Sequence, residues 1–215
     1  MHGSIAGMED SKTTDRKIEI IEATTELFLE NGFSGTSMSA VAKACGITKA
    51  TLYHHFPGKD DLFAACVTNG YAAAQDDLKC VVARKDLSAT EKLDQAMQRL
   101  YESSVSSPVG RMSPLIAEVS RTFPTVARAF HQDYIVPQRA LSGQILDEGQ
   151  QKGEFQEVDR DLFFHLVFGP IVTLSLSREM FATFDDLDRH FPLAQLNDGH
   201  RAMILSWLQG TAPQG

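Results

Sequence analysis

The sequence predicts an all-α protein, and three observations support this prediction. Apolar residues recur every three to four positions through most of the 215 residues, as they do on the buried face of an amphipathic helix. Glycine, proline and Asn-Gly interrupt these stretches, which predicts turns between helices. No stretch alternates apolar and polar residues in the way that indicates a half-buried strand.

Three helices are predicted in the first third of the chain. The first lies in "DRKIEIIEATTELFLENGF", where the apolar stripe ends at an Asn-Gly pair suited to a helix C-terminus. The second lies in "GTSMSAVAKACG", with Thr36 as its N-cap and Gly46 as its end. The third lies in "ITKATLYHHF", with Thr48 as its N-cap, and a Pro-Gly pair ends it.

Longer helices are predicted in the remainder of the chain. One begins at Lys59, and a second begins with a capping box formed by Ser88 and Glu91. Two short helices begin with proline in "PLIAEVSRTF" and "PTVARAFHQDYIV", and a longer one follows in "PQRALSGQILDEGQQKGEF". The next, in "DRDLFFHLVFGPIVTLSLSREMF", is apolar nearly all round, so we expect burial on several sides and a kink at its Gly-Pro pair. A mixed loop then leads to a last helix in "GHRAMILSWLQG".

Composition excludes several classes of protein. No run of about 18 apolar residues is present, so no membrane span is predicted. The three cysteines form no CxxC pair, so neither a disulfide framework nor a zinc site is indicated, and no cofactor is predicted. These features fit a cytoplasmic protein. The formal net charge of -8 argues against nonspecific coating of nucleic acid but allows a local basic face.

The second and third helices, joined by a turn at Gly46, match a helix-turn-helix. Leu52 and Phe56 share one face of the third helix and are predicted to anchor it to the core. A rotation of about 100° per residue then places Ala50 and His54 farthest outward. The outward side chains are small or carry hydrogen-bond donors, which suits contact with base edges and phosphate oxygens. The predicted DNA-binding residues are Ser37, Ser39, Thr48, Lys49, Ala50, Thr51, Tyr53, His54, His55 and Lys59.

Residues 16–62 closely resemble the TetR (TetR/AcrR-like) family of bacterial transcriptional regulators. The resemblance rests on "IEIIEATTELFLENGFSGTSMSAVAKACGITKATLYHHFPGKDDLF", in which the Gly-Ile-Thr-Lys turn and the Leu-Tyr-x-His-Phe stretch stand in register with the family pattern. It implies a homodimer with an N-terminal DNA-binding domain and a C-terminal effector domain, usually a repressor that a small molecule releases from DNA. The expected domains are a disordered segment at 1–13, a helix-turn-helix domain at 14–60, and a helical ligand-binding and dimerisation domain at 61–210.

The expected partners are a pseudo-palindromic duplex operator, a small lipophilic or aromatic effector, and a second copy of the chain. Side chains that combine apolar bulk with polar tips are typical of small-molecule pockets. The candidate effector residues are Met97, Tyr101, Phe130, Tyr134, His165 and Phe168. The last two long helices carry more apolar surface than one core can hide, which predicts a four-helix bundle between subunits. Phe164, Leu174 and Trp207 are the candidate dimer residues.

Simpler interpretations remain open for many of these residues. Tyr53 and His55 can pack and cap without touching DNA, and a histidine such as His165 in an apolar run is more often a core residue than a ligand contact. Two other classes of protein also remain open: a DNA-binding regulator or architectural protein without an effector, and an all-helical enzyme. The enzyme is disfavoured because the sequence contains no nucleophile motif, phosphate loop or HExxH spacing.

Overall fold

The computed structural model describes residues 6–108 and 110–211, with side chains from residue 15 onward. Those residues form helices and turns without a strand, which confirms the all-α prediction. The α-helices are α1 (Ala6–Gly35), α2 (Met38–Ala44), α3 (Lys49–His55), α4 (Lys59–Ala83), α5 (Ala89–Tyr101), α6 (Ser113–Thr122), α7 (Pro124–Phe130), α8 (Val136–Gln151), α9 (Arg160–Met180), α10 (Leu187–His190) and α11 (Leu193–Leu208). Two π-helical turns (Glu102–Ser106 and His131–Ile135) and a 3-10 turn (Gly110–Met112) complete the set. No helix among the described residues is both long and apolar enough to cross a membrane.

The chain folds into two compact units. The first contains the chain up to Gly70 together with Leu115–Phe130, and the second contains Tyr71–Pro114 and the chain from His131 onward. The division differs from the predicted domain boundary at residues 60 and 61. The first part of α4 and most of α6 and α7 belong with the helix-turn-helix, because their side chains pack there.

Aromatic rings form the centre of the first unit. The Phe63 ring of α4 meets Phe28 and Phe33 edge-on, with centroids 5.0 and 5.4 Å apart, and Phe123 packs on Phe33 at 5.3 Å. Gly32 has a φ of 70°, a conformation that residues with a side chain rarely adopt, so the helical path of α1 breaks there as predicted. This break turns the chain from α1 toward α2.

The Lys59 side chain stabilises this break. Its ammonium nitrogen donates hydrogen bonds to the carbonyl oxygens of Phe33 (2.8 Å) and Thr36 (3.0 Å), and it lies 4.2 Å from the centroid of the Phe33 ring. Carbonyl groups at the end of a helix lack intrahelical partners, so a cation there satisfies them. Lys59 therefore joins the start of α4 to the segment between α1 and α2.

Helices α5, α8, α9 and α11 build the second unit around a continuous apolar core. Met97, Ile145, Phe163 and Leu208 are at most 1% exposed within this core. A charged pair lies beside them: the Lys92 side chain is 4% exposed, and its Nζ lies 2.7 Å from a carboxylate oxygen of Glu148. The second carboxylate oxygen of Glu148 lies 2.6 Å from Nζ of Lys152, whose side chain is half exposed.

Three helix boundaries differ from the sequence prediction. Helix α1 begins at Ala6, so residues 6–13, predicted to be disordered, are helical, while residues 1–5 lie outside the described part of the chain. The N-cap of α2 is Ser37 rather than Thr36, because the Thr36 hydroxyl is buried against the carbonyl oxygens of Leu27 and Gly32. The predicted loop before the last helix contains α10, and α11 starts at Leu193.

Replacing Glu148 by glutamine should destabilise the protein by roughly 3 kcal/mol at pH 7, because the buried ammonium of Lys92 would lose its counter-ion. Lys152→Gln is the matched control, since it removes the exposed partner of the same carboxylate and should change stability less. Urea unfolding of the two variants measures the difference. Equal stability of Glu148→Gln and Lys152→Gln would contradict this role for the pair.

The same variant should show a defined pH dependence. Hydrogen bonds from Lys152 and Lys92 lower the pKa of Glu148 below its usual 4.5. A lowered folded pKa gives stability that is present above pH 4.5 and is lost as pH falls through the folded pKa. The stability gap between wild type and Glu148→Gln should therefore narrow in the acid range below pH 4.5. A gap that widens on acidification would refute the assignment.

Lys59→Met should lower the free energy of unfolding by about 2 kcal/mol, because two carbonyl groups would lose a charged donor. Lys49→Met, at an exposed lysine of the same unit, should leave stability close to that of wild type. Urea unfolding followed by circular dichroism makes the comparison. Wild-type stability in Lys59→Met would show that the bonds at the helix break contribute little.

Candidate nucleic-acid interface and effector site

Local capping and one glycine turn position the recognition helix α3. The Thr48 hydroxyl accepts a hydrogen bond from the backbone N–H of Thr51 at 3.1 Å, which confirms the predicted N-cap. Gly46 has a φ of 63°, and the backbone N–H of Ile47 donates to the carbonyl of Ala42 at 2.9 Å to close the turn. Because Leu52 is fully buried, the opposite side of α3 faces solvent.

The predicted DNA-binding residues lie mainly on this exposed side. Half of the Tyr53 surface is accessible, at 49%. The other exposed members are Ser37, Ser39, Thr48, Lys49, Ala50, Thr51 and His54, whereas His55 and Lys59 are partly buried. The helix-turn-helix therefore presents hydroxyls, an ammonium group and an imidazole around the small side chain of Ala50. Such a surface can enter a major groove and donate to base edges and phosphates.

The contacts of Lys59 differ from the predicted contact with DNA. Its ammonium group already donates to two backbone carbonyls, and an ammonium carries three donors. One donor and the positive charge remain for DNA. The main role that the geometry assigns to Lys59 is to hold the start of α2 in place.

Two basic residues of α1 extend the candidate interface, and the sequence prediction missed both. Arg16 donates to the carbonyl of Cys45 at 2.9 Å, which ties α1 to the helix-turn-helix turn. The ammonium of Lys17 lies 5.4 Å from the centroid of the Phe56 ring. Burial lowers the pKa of His55, and the charges of His54, Lys17 and Arg16 lower it further. These basic groups therefore lie close together on a protein whose net charge is -8.

The predicted effector residues do not all come together. Met97, Tyr101, Tyr134 and Phe168 are buried in the second unit, whereas Phe130 belongs to the first. His165 is exposed, so neither the effector role nor the core alternative fits its position. His165 faces outward because its neighbour Phe164 points inward, where its ring stacks on that of Phe168 with 4.3 Å between centroids.

The buried histidine of this unit is His200, which the prediction missed. Its Nε2 lies 2.8 Å from the carbonyl oxygen of Leu166, and its Nδ1 lies 2.9 Å from the hydroxyl of Tyr101. Since the carbonyl can only accept, Nε2 carries the proton and Nδ1 accepts from Tyr101. Burial lowers the pKa of His200 and raises the pKa of Tyr101 to about 12. The sequence signal was its spacing, since His200, Ile204 and Leu208 recur every four residues on the buried stripe of α11.

The predicted dimer residues are largely internal. Phe164 and Leu174 are 7% and 6% exposed, and Trp207 is partly buried against the core. Other apolar side chains of the same two helices are exposed by 42–50%: Leu162 and Val172 on α9, and Leu196 and Met203 on α11. A groove of about 420 Å³ lies between these helices, lined by Pro170, Leu174, Leu196, Gly199, Met203 and their neighbours. Helices α9 and α11 therefore expose apolar side chains other than the three predicted ones, and a subunit contact through these helices stays a prediction.

The described side chains offer no group of three or more histidine, cysteine, aspartate or glutamate residues that could hold a metal ion. The exposed face of α3, with its hydrogen-bond donors, is the feature of the described surface that suits contact with DNA.

Two family models match the chain. The model described as "Bacterial regulatory proteins, tetR family" matches residues 20–66. The model described as "Tetracyclin repressor-like, C-terminal domain" matches residues 86–190. Together they cover well over half of the sequence and both of its units.

Individual proteins agree with the family models. The HTH-type transcriptional regulator UidR of Escherichia coli (strain K12) is 27% identical over 197 residues, which covers 87% of this chain and 90% of UidR. A TetR-family regulator structure from Mesorhizobium loti superposes with a TM-score of 0.75 at 22% identity, covering 90% of this chain and 95% of that one. The regulator FadR from Bacillus subtilis, solved in complex with stearoyl-CoA, has a TM-score of 0.73 at 21% identity and covers 89% of this chain and 98% of its own.

The family models and the regulator relatives confirm the predicted resemblance, and they assign the chain to DNA-binding regulators rather than to enzymes. The exposed helix-turn-helix and the matches on both units lead to the same conclusion: the chain belongs to the TetR family of bacterial transcriptional regulators.

Proposed function

We propose that this protein is a homodimeric repressor that binds a pseudo-palindromic operator through α3 and leaves it when a small lipophilic effector binds the second unit. The observation that carries the proposal is the two-sided α3, with Leu52 buried and Lys49, Thr51, Tyr53 and His54 exposed. A helix so divided is held by the core on one side and is free to enter a major groove on the other.

Each exposed group has a role that its chemistry suits. Lys49 reaches the acceptors of guanine or a phosphate, and Ala50 leaves room for close approach to the groove floor. Tyr53 and Thr51 donate to phosphate oxygens, which fixes the register of the helix on the duplex. Because much of the attraction comes from phosphate contacts, operator affinity falls as salt concentration rises.

Two observations support release from DNA by a ligand: helix α4 is shared by both units, and a similar protein binds a lipophilic ligand. FadR from Bacillus subtilis holds stearoyl-CoA, so this fold accommodates a lipophilic ligand in at least one relative. In the present chain, α4 supplies Lys59 to the first unit and Tyr71 onward to the second. One helix shared by both units offers a route by which a ligand changes DNA affinity. The ligand must bind the released state more tightly than the DNA-bound state, since only differential affinity shifts an equilibrium.

Dimerisation is supported by the apolar strip that α9 and α11 leave exposed. Leu196, Gly199 and Met203 follow a spacing of three and four residues, which places them on one face of α11. Leu162 and Val172 provide apolar surface on α9. Two copies of this surface, related by a twofold axis, bury it in a four-helix arrangement and place two copies of α3 for two operator half-sites.

Lys49→Ala and Tyr53→Ala should each weaken operator binding by roughly 1–3 kcal/mol, because each removes a donor to DNA without disturbing the buried face. The assay is fluorescence anisotropy with duplex DNA from upstream of the protein's own gene, at fixed salt. Lys85→Ala, at an exposed lysine of the second unit, controls for loss of general positive charge. Wild-type affinity in both α3 variants, with helicity retained, would exclude α3 as the reading helix.

Met203→Asp should convert the dimer to monomers at micromolar concentration, because a twofold interface would bury two new carboxylates close together. Met180→Asp is the matched control, since Met180 is 72% exposed at the end of α9. Light scattering coupled to size exclusion measures the mass of each. A wild-type monomer, or a dimer that survives Met203→Asp but not Met180→Asp, would show that the strip is not the interface.

A further inference from the structure

The buried amide of Gln138 on α8 has no hydrogen-bond partner. The side chain is 0% exposed, and neither its Oε1 nor its Nε2 has a protein partner. Among the described residues, the only other buried side-chain atom in this condition is a single oxygen of Asn197. Gln138 is therefore exceptional in having both its donor and its acceptor unused.

Apart from Gln138 and that Asn197 oxygen, the described buried polar side chains of the second unit have hydrogen-bond partners. Lys92 pairs with Glu148, and His200 bonds at both ring nitrogens. The Ser142 and Ser175 hydroxyls donate to the carbonyls of Arg139 and Gly110. An unmade hydrogen bond in such an interior costs about 1–3 kcal/mol, so a leucine or methionine would suit position 138 better if its only function were packing.

The surroundings of Gln138 are unusual in backbone as well. One helical turn before it lies Tyr134, which belongs to the π-helical turn His131–Ile135 and bonds to Ser104. Ser104 belongs to the other π-helical turn, Glu102–Ser106. π-Helical turns are rare and occur frequently at functional sites. The hydrogen bond between Tyr134 and Ser104 thus links two such turns. Tyr134 lies one helical turn before the unpaired amide of Gln138.

The hydroxyls of Tyr134 and Tyr71 already have partners. The Tyr134 ring packs on that of Tyr71 with centroids 4.1 Å apart, and Tyr71 in turn bonds to Ser113. Burial is the main cause that raises the pKa of each of these two tyrosines, so both stay neutral. Among the described buried side chains, the free hydrogen-bonding capacity therefore resides, apart from the Asn197 oxygen, in the carboxamide of Gln138, one helical turn after Tyr134.

We propose that Gln138 is the polar anchor of the effector site, and that the effector is an uncharged molecule with a donor and an acceptor side by side on an apolar body. A primary amide, a lactam or an imide has this edge, which pairs with both Oε1 and Nε2. The inference rests on the proposed function, since it specifies the ligand class of that effector.

The anchored part of the ligand is uncharged, because the described buried side chains of this unit include no unpaired ion. The buried ammonium of this unit, on Lys92, already pairs with Glu148, and an unpaired ion in a buried site is strongly disfavoured. A carboxylate would also leave Oε1 without a donor. Ligand amides meet both needs, because their N–H pairs with Oε1 and their carbonyl accepts from Nε2.

The test uses three small probes of similar shape with the full-length protein: benzamide, benzoate and ethylbenzene. Calorimetry should show benzamide binding at least about tenfold more tightly than either of the others, in line with the cost of an unpaired amide. The side-chain amide resonances of Gln138, identified by their loss in Gln138→Met, should shift with benzamide alone. In Gln138→Met the preference for benzamide over ethylbenzene should disappear or reverse.

Gln144→Met is the matched control, because Gln144 is exposed on the same helix, and it should keep the wild-type preference. Gln138→Met should also unfold at a urea concentration equal to or above that of wild type. If Gln138→Met is less stable and keeps the benzamide preference, the amide has a purely structural role and the proposal is overturned. The same holds if wild type binds the three probes equally or binds none of them.

Operator binding by wild type and by Gln138→Met separates this inference from the proposed function. A wild type that binds operator but shows no benzamide preference loses only the ligand assignment. A wild type that fails to bind operator contradicts the proposed function, and a benzamide preference would then still identify Gln138 as a binding residue.

Discussion

The DNA-binding surface depends on contacts that keep helix α3 in place, because so short a helix is not stable by itself. Helix α3 has seven residues, and an isolated helix of that length is unstable in water because nucleation fixes several residues for a single hydrogen bond. Its position therefore depends on contacts beyond its own backbone hydrogen bonds. These are the burial of Leu52, the Thr48 cap, and the bonds at the two ends of α2. Arg16 binds the carbonyl of Cys45 at one end, and Lys59 binds that of Thr36 at the other. These two cations fix the frame that presents α3 and keep their positive charge close to it.

This arrangement explains how an acidic protein can present a DNA-binding face. Its net charge of -8 gives a repulsive long-range field toward a duplex. Arg16, Lys17 and Lys49 all belong to the first unit. Arg16 bonds to the carbonyl of Cys45 shortly before α3, and Lys17 lies 5.4 Å from the ring of Phe56 directly after it. Local charge acts over about a Debye length, roughly 8–10 Å, so it governs the contact itself. The acidic remainder disfavours nonspecific coating of DNA, which suits a protein that must find one site.

The sequence predicted the parts of the structure that local chemistry determines. Thr48 caps α3, Ser88 and Glu91 form the capping box of α5, and Gly46 takes the left-handed conformation at the turn. The sequence-based predictions were wrong where the rotation of a helix about its axis decides which side chains are buried. Helix α9 is apolar nearly all round, so the pattern could not tell that Phe164 points inward and His165 outward. The unpaired amide of Gln138 could not be predicted for another reason: no sequence pattern shows whether a buried amide has a hydrogen-bond partner.

An unpaired amide affects ligand binding and DNA release differently. Pairing Gln138 with a ligand recovers the free energy that its unmade bonds cost, and it selects ligands that carry the matching edge. That gain is the same in the DNA-bound and released states if the surroundings of Gln138 are the same in both, and an equal gain shifts no equilibrium. Release must therefore come from groups whose packing differs between the two states. In the proposed mechanism, the anchor selects the ligand, and contacts that differ between the two states determine whether the operator is released.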